Sequence, residues 1–350
     1  MCVPRPLLVA PLWVAAAACL ALPIINSSLG WADAEPKRVF IVAIFALLLV
    51  GALSGARYLN TGLLRWLPFA VLLLALENEA AQHWARYRYA ASAPVRSSGG
   101  TNNLLHPVTT TELITHYYEL ETNALSVPRL RVVQASDLHV SQRLPEAYFV
   151  NALATIAAQK PDLVLLTGDY VSFSENLHVL ARLLPGRLSA PLGVYAVLGN
   201  HDYWTDAQAV RAILRSAGIT LVSSSCTRLP AAVGRVVVCG TEAPWGPRLT
   251  TPLAQRDLSI VLSHTPDNIY DLSALGASVV FSGHLHGGQI RVPGIGALVL
   301  PSRYGRRFDE GHFRVADTDL FVSTGVGADD PPVRVYCPPD LLVVDFLPEH

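Results

Sequence analysis

The run Gly199-Asn200-His201-Asp202 presents an amide oxygen, an imidazole and a carboxylate in three consecutive residues. It follows the apolar run 194–198, which is short, rich in β-branched and aromatic residues, and typical of a buried strand that enters a loop. Gly and Asn are also favoured in ordinary turns, so these four residues alone do not distinguish a turn from a metal or catalytic site.

Four more apolar runs end in side chains that bind metals. The runs 130–134, 163–167, 258–262 and 277–281 lead, in that order, to Asp137 and His139, to Asp169, to His264, and to His284 and His286. In open α/β sheets, sites form beyond the carboxyl ends of strands, so five strand ends would deliver these side chains to one crevice. Imidazole, carboxylate and amide ligands without thiolate suit Zn²⁺, Mn²⁺ or Fe rather than Ca²⁺.

With these residues in this order, the chain resembles the calcineurin-like metallophosphoesterases, whose motifs are D-x-H, G-D, G-N-H-[DE], H and G-H-x-H. The resemblance covers roughly residues 110–347. The runs Gly168-Asp169-Tyr170-Val171, Asp202-Tyr203-Trp204 and Gly287-Gly288-Gln289 are similar to a membrane-associated branch. That branch includes the transmembrane proteins with a metallophosphoesterase domain and some UDP-2,3-diacylglucosamine diphosphatases.

The chain departs from many relatives at one position of this pattern. Those relatives carry a second acid a few residues after G-D, where this chain has Tyr170-Val171-Ser172. In the family that acid is not a metal ligand, so the expected metal site is unaffected.

The resemblance implies two divalent metal ions (Mn, Zn or Fe) and a role for each residue. Asp137, His139 and His286 would hold one metal, Asn200, His264 and His284 would hold the other, and Asp169 would bridge them. A metal-bridging hydroxide would attack phosphorus in line, with no covalent enzyme intermediate. His201 would protonate the leaving oxygen or stabilise the transition state, and Asp202 would orient its imidazole.

Composition limits the class of protein. The 350 residues are 51% hydrophobic and 15% charged, with a mean hydropathy of +0.35, which is too apolar for an ordinary soluble protein. A net charge of −1 gives no electrostatic case for nucleic acid, so no such partner is expected. Cys226 and Cys239 flank a predicted hairpin turn and could face each other, but buried free thiols are the favoured interpretation.

Residues 1–90 are predicted to form a membrane region with two to three transmembrane helices. Segments 7–25 and 39–56 contain no charged residue, and about 20 apolar residues cross a bilayer core. A cleaved signal peptide is the alternative for the first segment. The shorter run 66–76 is predicted as a third span, with an interfacial segment as the alternative, and the aromatics and arginines of 77–89 suit the headgroup layer.

These segments predict a multi-pass protein of the cell membrane, with the lipid bilayer as a partner. The side is poorly determined, because the flanking basic residues differ little between the two sides. They lean weakly towards a cytoplasmic catalytic domain.

The rest of the chain favours an α/β fold. Residues 91–110 have linker composition, and residues 111–350 are long enough for one catalytic domain. Strands are predicted at 112–120, 131–134, 163–167 and 194–198, with helices at 146–159, 177–184 and 206–216 between and after them. Further short strands are predicted at 221–222, 235–239, 258–262, 277–281, 298–300, 320–322 and 341–345.

This order predicts a mostly parallel sheet followed by a second, mixed sheet. It fits the family's two-sheet metallophosphoesterase sandwich flanked by helices, here preceded by N-terminal transmembrane helices.

Three functions remain open from the sequence. The first is a membrane-anchored phosphodiesterase or pyrophosphatase acting on a lipid-linked phosphate, with UDP-2,3-diacylglucosamine of lipid A biosynthesis as the leading candidate by resemblance. The second is a phosphatase or phosphodiesterase for soluble nucleotides or sugar phosphates. The third is a non-catalytic metal-binding module, which is disfavoured because such domains usually lack several ligands and none is missing here.

Overall fold

The computed structural model describes residues 67–100 and 105–349. The predicted spans 7–25 and 39–56 lie outside these residues. The predicted third span, 66–76, falls in a helix that starts at Leu67 and continues through the predicted interfacial segment to Tyr89. In the described part of the chain, no helix is both long enough and apolar enough to cross a membrane.

The first half of the described chain alternates strands and helices, as the apolar runs predict. The strands are β1 Arg96–Gly99, β2 Ile114–Thr122, β3 Leu130–Ala135, β4 Leu163–Leu166, β5 Val194–Ala196 and β6 Thr220–Leu221. The helices are α1 Leu67–Tyr89, α2 Glu146–Ala158, α3 Leu177–Leu183, α4 Asn200–Thr205 and α5 Ala207–Ser216. Helix α5 starts after Asp206, whose carboxylate accepts hydrogen bonds from the amides of Gln208 and Ala209 and so satisfies two free donors of the first turn.

Short strands dominate the second half, again as predicted. The strands are β7 Cys226–Arg228, β8 Val236–Thr241, β9 Leu258–Ser263, β10 Val279–Ser282, β11 Arg291–Val292, β12 Gly296–Ala297, β13 Gly311–Val315, β14 Thr318–Val322 and β15 Asp340–Pro348. One short α-helix, α6 Ile269–Ala274, lies among these strands of the described chain. The predicted strand at 298–300 is wrong, because the strand β12 ends at Ala297, just before a segment that leads into Pro301.

The first sheet has the strand order β1-β2-β15-β3-β4-β5-β6. Strands β3 to β6 run parallel, and helices α2, α3 and α5 cover one face. The two faces of this sheet pack against different elements. In β3, for example, Val133 packs with the helices, whereas Val132 packs towards the second sheet. Because both faces are buried, these strands are continuous apolar runs rather than alternating ones.

The second sheet has the order β13-β14-β10-β9-β8-β7, with antiparallel strands at both edges and parallel strands between. It is the mixed sheet that the sequence predicts. Two strands expected in it, at 221–222 and 341–345, belong to the first sheet instead. Strand β15 pairs parallel to β2 and antiparallel to β3, and its buried run 341–344 suits this central position.

Strand β1 lies inside the predicted linker. Its four residues are exposed and pair antiparallel with β2, which makes it an edge strand of the first sheet. The Ser-Gly composition gave no signal for this strand, since its exposed residues lack the alternating apolar pattern that indicates a strand. The domain boundaries assigned around it stay a prediction.

Cys226 and Cys239 form a disulfide. They are opposite residues in the antiparallel pair β7 and β8, with 4.0 Å between their Cα atoms. The favoured interpretation of two buried free thiols is therefore wrong, because the hairpin brings the two positions into register. Cys337 is a buried free cysteine.

The described chain divides into two compact units, of which one contains residues 67–88 and 294–307. In this unit the buried Arg306 holds the segment 294–307 against α1. Its guanidinium pairs with Glu79 and donates to the carbonyl of Ile295 at 3.0 Å, while its backbone amide donates to the side-chain oxygen of Gln82 at 3.2 Å. The other unit contains both sheets and the site described next.

Candidate dinuclear metal centre

The seven predicted metal ligands all lie just beyond the carboxyl ends of strands. Asp137 and His139 follow β3, Asp169 follows β4, Asn200 starts α4 after β5, His264 follows β9, and His284 and His286 follow β10. Strands β3 to β5 belong to the first sheet and β9 and β10 to the second, so the ligands come together where both sheets end. Six of the side chains are buried, and His284 is half-buried.

The backbone at these positions is held in an unfavourable conformation. Five of the predicted ligands have positive φ angles, with values of 52° at Asp137, 43° at His139, 54° at Asp169, 70° at His284 and 51° at His286. Non-glycine residues rarely adopt this left-handed conformation, and it persists only where the surrounding structure imposes it. The fold therefore directs these side chains inward at a cost in backbone strain, which is typical of functional sites.

Two glycines of the motifs are required by close approach. A Cβ atom on Gly199 would lie 2.3 Å from Oδ1 of Asp169, and one on Gly283 would lie 2.1 Å from Oδ2 of Asp137. Any side chain at either position would collide with a predicted ligand. These glycines let one backbone segment pass directly against the carboxylate supplied by another strand.

The first ligand group consists of Asp137, His139 and His286, whose ligand atoms lie within 4.8 Å of one another. Nε2 of His139 lies 3.0 Å from Nε2 of His286, and Oδ1 of Asp137 lies 3.3 Å from the latter nitrogen. Burial lowers the pKa of His139 to about 4 and holds the pKa of His286 well below its usual range, so both rings are neutral at pH 7. Two neutral imidazoles and a carboxylate that converge in this way fit a divalent cation.

The second ligand group consists of Asn200, His264 and His284. Nε2 of His264 lies 3.1 Å from Oδ1 of Asn200, and the His284 ring centroid lies 4.9 Å from that of His264. The ligand atoms of His264, His284 and Asp169 lie within 4.8 Å of one another. This set also matches a divalent cation in donor type and convergence.

Asp169 stands between the two groups. Its Oδ2 lies 3.5 Å from Nε2 of His139 and 3.2 Å from Nε2 of His264, so one carboxylate oxygen faces both. Burial would raise the pKa of Asp169, but His264, His201 and His139 together hold this pKa well below its usual range. Burial likewise opposes protonation of His264, yet Asp169 raises the pKa of that ring to about 9. The carboxylate is therefore ionised and placed where the predicted bridging ligand must be.

Further contacts fix the imidazole orientations. Nδ1 of His264 lies 2.7 Å from the carbonyl of Thr167, and Nδ1 of His139 lies 3.0 Å from the hydroxyl of Ser172. Such contacts leave Nε2 of each ring free to bind a metal. Neither Thr167 nor Ser172 was identified from sequence, although Ser172 occupies the stretch where many relatives carry their second acid.

Arg334 is a further residue that sequence reasoning missed. It is fully buried, and its guanidinium donates to the carbonyls of Thr324 at 2.6 Å and Gly327 at 2.9 Å. Its Nη2 also lies 3.3 Å from Nδ1 of His286. A buried cation surrounded by carbonyls ties the loop after β14 to the turn that carries His286.

Asp202 does not contact His201 in the way that the sequence predicts. Its carboxylate accepts hydrogen bonds from the backbone amides of Gly199, Asp169 and Tyr170 at 2.8 to 2.9 Å. Burial and the charge of Asp169 raise the pKa of Asp202 to about 8. Asp202 therefore holds the loops after β4 and β5 together instead of orienting the imidazole of His201.

His201 itself lies at the edge of the centre. Its backbone amide donates to Oδ1 of Asp169 at 2.8 Å, and its ring packs between those of His139 and Trp204, with centroid distances of 4.7 and 4.9 Å. Its Nε2 lies 3.7 Å from Oδ1 of Asp329, which belongs to the loop after β14. His201 is therefore next to the ligands and partly open to solvent.

Large apolar side chains are exposed around the centre. Trp204 packs on His201 and is 41% exposed, and Phe173, which follows Ser172, is 37% exposed. Trp245 is half-buried, and its ring centroid lies 5.0 Å from that of His284. Exposed aromatics beside a polar centre offer an apolar surface to a bound molecule.

Comparison with known proteins agrees with this geometry. Residues 130–288 match the family model described as calcineurin-like phosphoesterase. An uncharacterized metallophosphoesterase of Aquifex aeolicus is 30% identical over 240 residues, which cover 65% of this chain and 89% of that protein. The chain therefore belongs to the calcineurin-like metallophosphoesterase family, and it is a metal-dependent phosphoric ester hydrolase. The family expected from the motifs is confirmed.

Two relatives carry more specific names. The phosphodiesterase YaeI of Escherichia coli is 30% identical over 225 residues, covering 62% of this chain and 82% of that protein. The UDP-2,3-diacylglucosamine pyrophosphatase LpxG of Chlamydia muridarum is 29% identical over 216 residues, covering 47% of this chain and 65% of that protein.

Proposed function

We propose that this protein is a membrane-anchored phosphoesterase with two metal ions, which hydrolyses a phosphodiester or pyrophosphate bond. The observation that carries the proposal is the position of Asp169, with one oxygen facing both His139 and His264. Only a two-metal centre needs a carboxylate shared between two complete ligand groups.

Each residue of the centre has a distinct proposed role. Asp137, His139 and His286 would hold one metal, Asn200, His264 and His284 the other, and Asp169 both. Divalent metals in such a centre polarise phosphoryl oxygens and activate water near neutral pH. His201 faces the open edge, where its ring can donate a proton to the leaving oxygen.

The substrate we favour carries a lipid next to its phosphate. Trp204 presents a partly exposed apolar ring beside His201, and the exposed Phe173 follows Ser172, so apolar surface for an acyl chain is available next to the centre. The relative named for UDP-2,3-diacylglucosamine supports the same class of substrate. We therefore name UDP-2,3-diacylglucosamine as the leading candidate, which would place the protein in lipid A biosynthesis.

The membrane attachment is part of the proposal, and the disulfide bears on its orientation. The apolar segments 7–25 and 39–56 would anchor the chain. Disulfides persist in oxidising compartments and are rare in the cytosol, so the Cys226–Cys239 bond favours a catalytic domain on the non-cytoplasmic side. This opposes the weak lean of the flanking charges, and we follow the disulfide because the charge difference is small.

Hydrolysis assays on the full chain in detergent micelles test the proposal. With Mn²⁺ or Zn²⁺ present, we expect release of UMP from UDP-2,3-diacylglucosamine with a higher kcat/KM than from a UDP-sugar without acyl chains. A preference for the soluble compound would favour the alternative, a phosphodiesterase for soluble nucleotides or sugar phosphates. Loss of the protein from the membrane pellet in an alkaline carbonate wash would contradict the anchoring.

A further inference from the structure

The ring packing and the backbone hydrogen bond of His201 fix its imidazole in place but not in rotation. The rings of His139 and Trp204 pack on it, and the hydrogen bond to Asp169 comes from the backbone amide of His201 rather than from its ring. Ring packing limits translation but does not select which ring nitrogen faces a substrate. An imidazole that transfers a proton needs a polar partner on its other nitrogen.

The two other acids next to His201, its neighbour Asp202 and the spatially adjacent Asp169, have partners elsewhere. Both oxygens of Asp202 accept from backbone amides, and Asp169 faces the ligand histidines. Ser172, in the stretch where many relatives have a second acid, contacts His139 instead.

The carboxylate against the His201 ring comes from a distant part of the chain. Oδ1 of Asp329 lies 3.7 Å from Nε2 of His201. The Asp329 backbone is held on both sides, because its amide donates to Oε1 of Gln289 at 2.6 Å and the Gln289 amide group donates back to its carbonyl at 3.3 Å. The amide of Asp330 also donates to Oδ1 of Asp329 at 2.7 Å. Its carboxylate is thus oriented before any substrate binds.

We propose that Asp329 is the positioning residue of His201 and holds Nε2 of the imidazole, so that Nδ1 is the nitrogen that donates to the leaving oxygen. This inference rests on the proposed function. Asp329 thereby gives the loop 325–331 a role in turnover. This loop lies outside the family motifs of this chain. The competing role is a third ligand group, because the ligand atoms of His139, His201 and Asp329 lie within 4.8 Å of one another.

A double-mutant cycle separates these roles. Asp329→Asn should lower kcat for an alkoxide leaving group by about ten- to a hundredfold, with a smaller loss for a nitrophenolate and little change in KM. Because Asp329 acts through His201, the same substitution should have no further effect in the His201→Ala background. Additive losses, equal losses for both leaving groups, or a loss of bound metal in Asp329→Asn would each overturn the proposal.

The matched control is Asp330→Asn, since Asp330 is the neighbouring acid and pairs with Arg143 rather than with His201. Asp330→Asn should retain wild-type kcat for both leaving groups, because it changes only the side chain and keeps the backbone amide that donates to Asp329. If Asp330→Asn reproduced the Asp329→Asn losses, the effect would belong to the loop as a whole and the assignment to Asp329 would be wrong.

A measurement that needs no turnover separates failure of the His201–Asp329 contact from failure of the proposed function. In full-length protein labelled with ¹⁵N-histidine, the ring signal of His201 is the one missing from His201→Ala. It should shift in Asp329→Asn and stay unchanged in Asp330→Asn. An unchanged signal in Asp329→Asn would overturn the contact even in an active enzyme. A shifted signal in a protein that hydrolyses no phosphoester would support the contact and refute the function.

Discussion

The two ligand groups differ in what a metal ion must displace. In the first group, His139 and His286 are buried and neutral, because burial holds the pKa of both rings below the usual range. In the second group, Asp169 raises the pKa of His264 to about 9, and His284 is only half-buried. Asp169 faces both groups. The carboxylate that completes the first group therefore also keeps His264 of the second group protonated.

This difference indicates two stages of loading. A buried, neutral group is ready to accept a cation, whereas a protonated histidine must first release its proton. We expect the first group to bind its metal more tightly near neutral pH. The centre is therefore asymmetric although both groups have similar donors.

Removing the shared ligand should have the largest effect. In Asp169→Ala both groups lose an oxygen donor, and we expect loss of at least one metal equivalent together with a fall in kcat/KM of more than about 10³-fold. Elemental analysis and steady-state assays measure the two effects. Asp271→Asn, at an exposed acid that pairs with Arg248 and belongs to neither ligand group, is the control and should match wild type. Full metal retention in Asp169→Ala would show that the two groups are independent.

Removing the predicted proton donor should have the next largest effect. His201→Ala should keep both metals, because His201 belongs to neither group, and should lower kcat by about 10²–10⁴-fold. The loss should be smaller for a nitrophenolate than for an alkoxide, since the former leaves without a proton. His178→Ala provides the control on the exposed surface. A His201→Ala protein that lost one metal would move His201 into the ligand set.

The dependence of metal affinity on pH tests the comparison itself. Between about pH 6 and 9 the second group should gain about tenfold in affinity per pH unit, because the metal displaces the proton of His264. The first group should be nearly flat above about pH 7, because its histidines carry no proton and the pKa of Asp137, raised by burial to about 6, leaves that carboxylate ionised. Titration calorimetry with Mn²⁺ in buffers of different ionisation enthalpy counts the protons released. Equal proton release at both steps would refute the asymmetry.

Removing the disulfide should lower the stability of the fold and have the smallest effect on the metal centre. Cys226→Ser removes a cross-link between residues 13 apart, and we expect the free energy of unfolding to fall by about 3 kcal/mol. Metal content and kcat should stay at wild-type values. Thermal unfolding with and without reductant measures the same effect in the unmodified chain, where no difference in Tm would show that the bond is absent.

The ligands could be predicted from sequence because each follows an apolar run that forms a buried strand. Asp169 after β4 and His264 after β9 are examples in which a local pattern decides the position. The order of such strands in an α/β fold then brings their carboxyl ends together. Local information was therefore enough to locate the candidate ligands, whereas their division between two metals rests on the family resemblance.

The features that could not be predicted depend on pairing between distant segments of the chain. Strand β15 lies between β2 and β3, which no local pattern indicates, and the loop that precedes it supplies Arg334 and Asp329 to the centre. The Cys226–Cys239 bond likewise depends on the register of β7 against β8. In each case the position of the residue depends on which strands pair. One sequence alone does not show that pairing.

Metal stoichiometry tests the central claim most directly. After loading with Mn²⁺ and removal of free ion, the wild-type protein should hold about two equivalents per chain. His286→Ala and His264→Ala should each hold about one, since each removes a ligand from a different group. No more than trace metal in the wild type, or the loss of both metals in only one of the two variants, would contradict a centre built from two groups joined by Asp169.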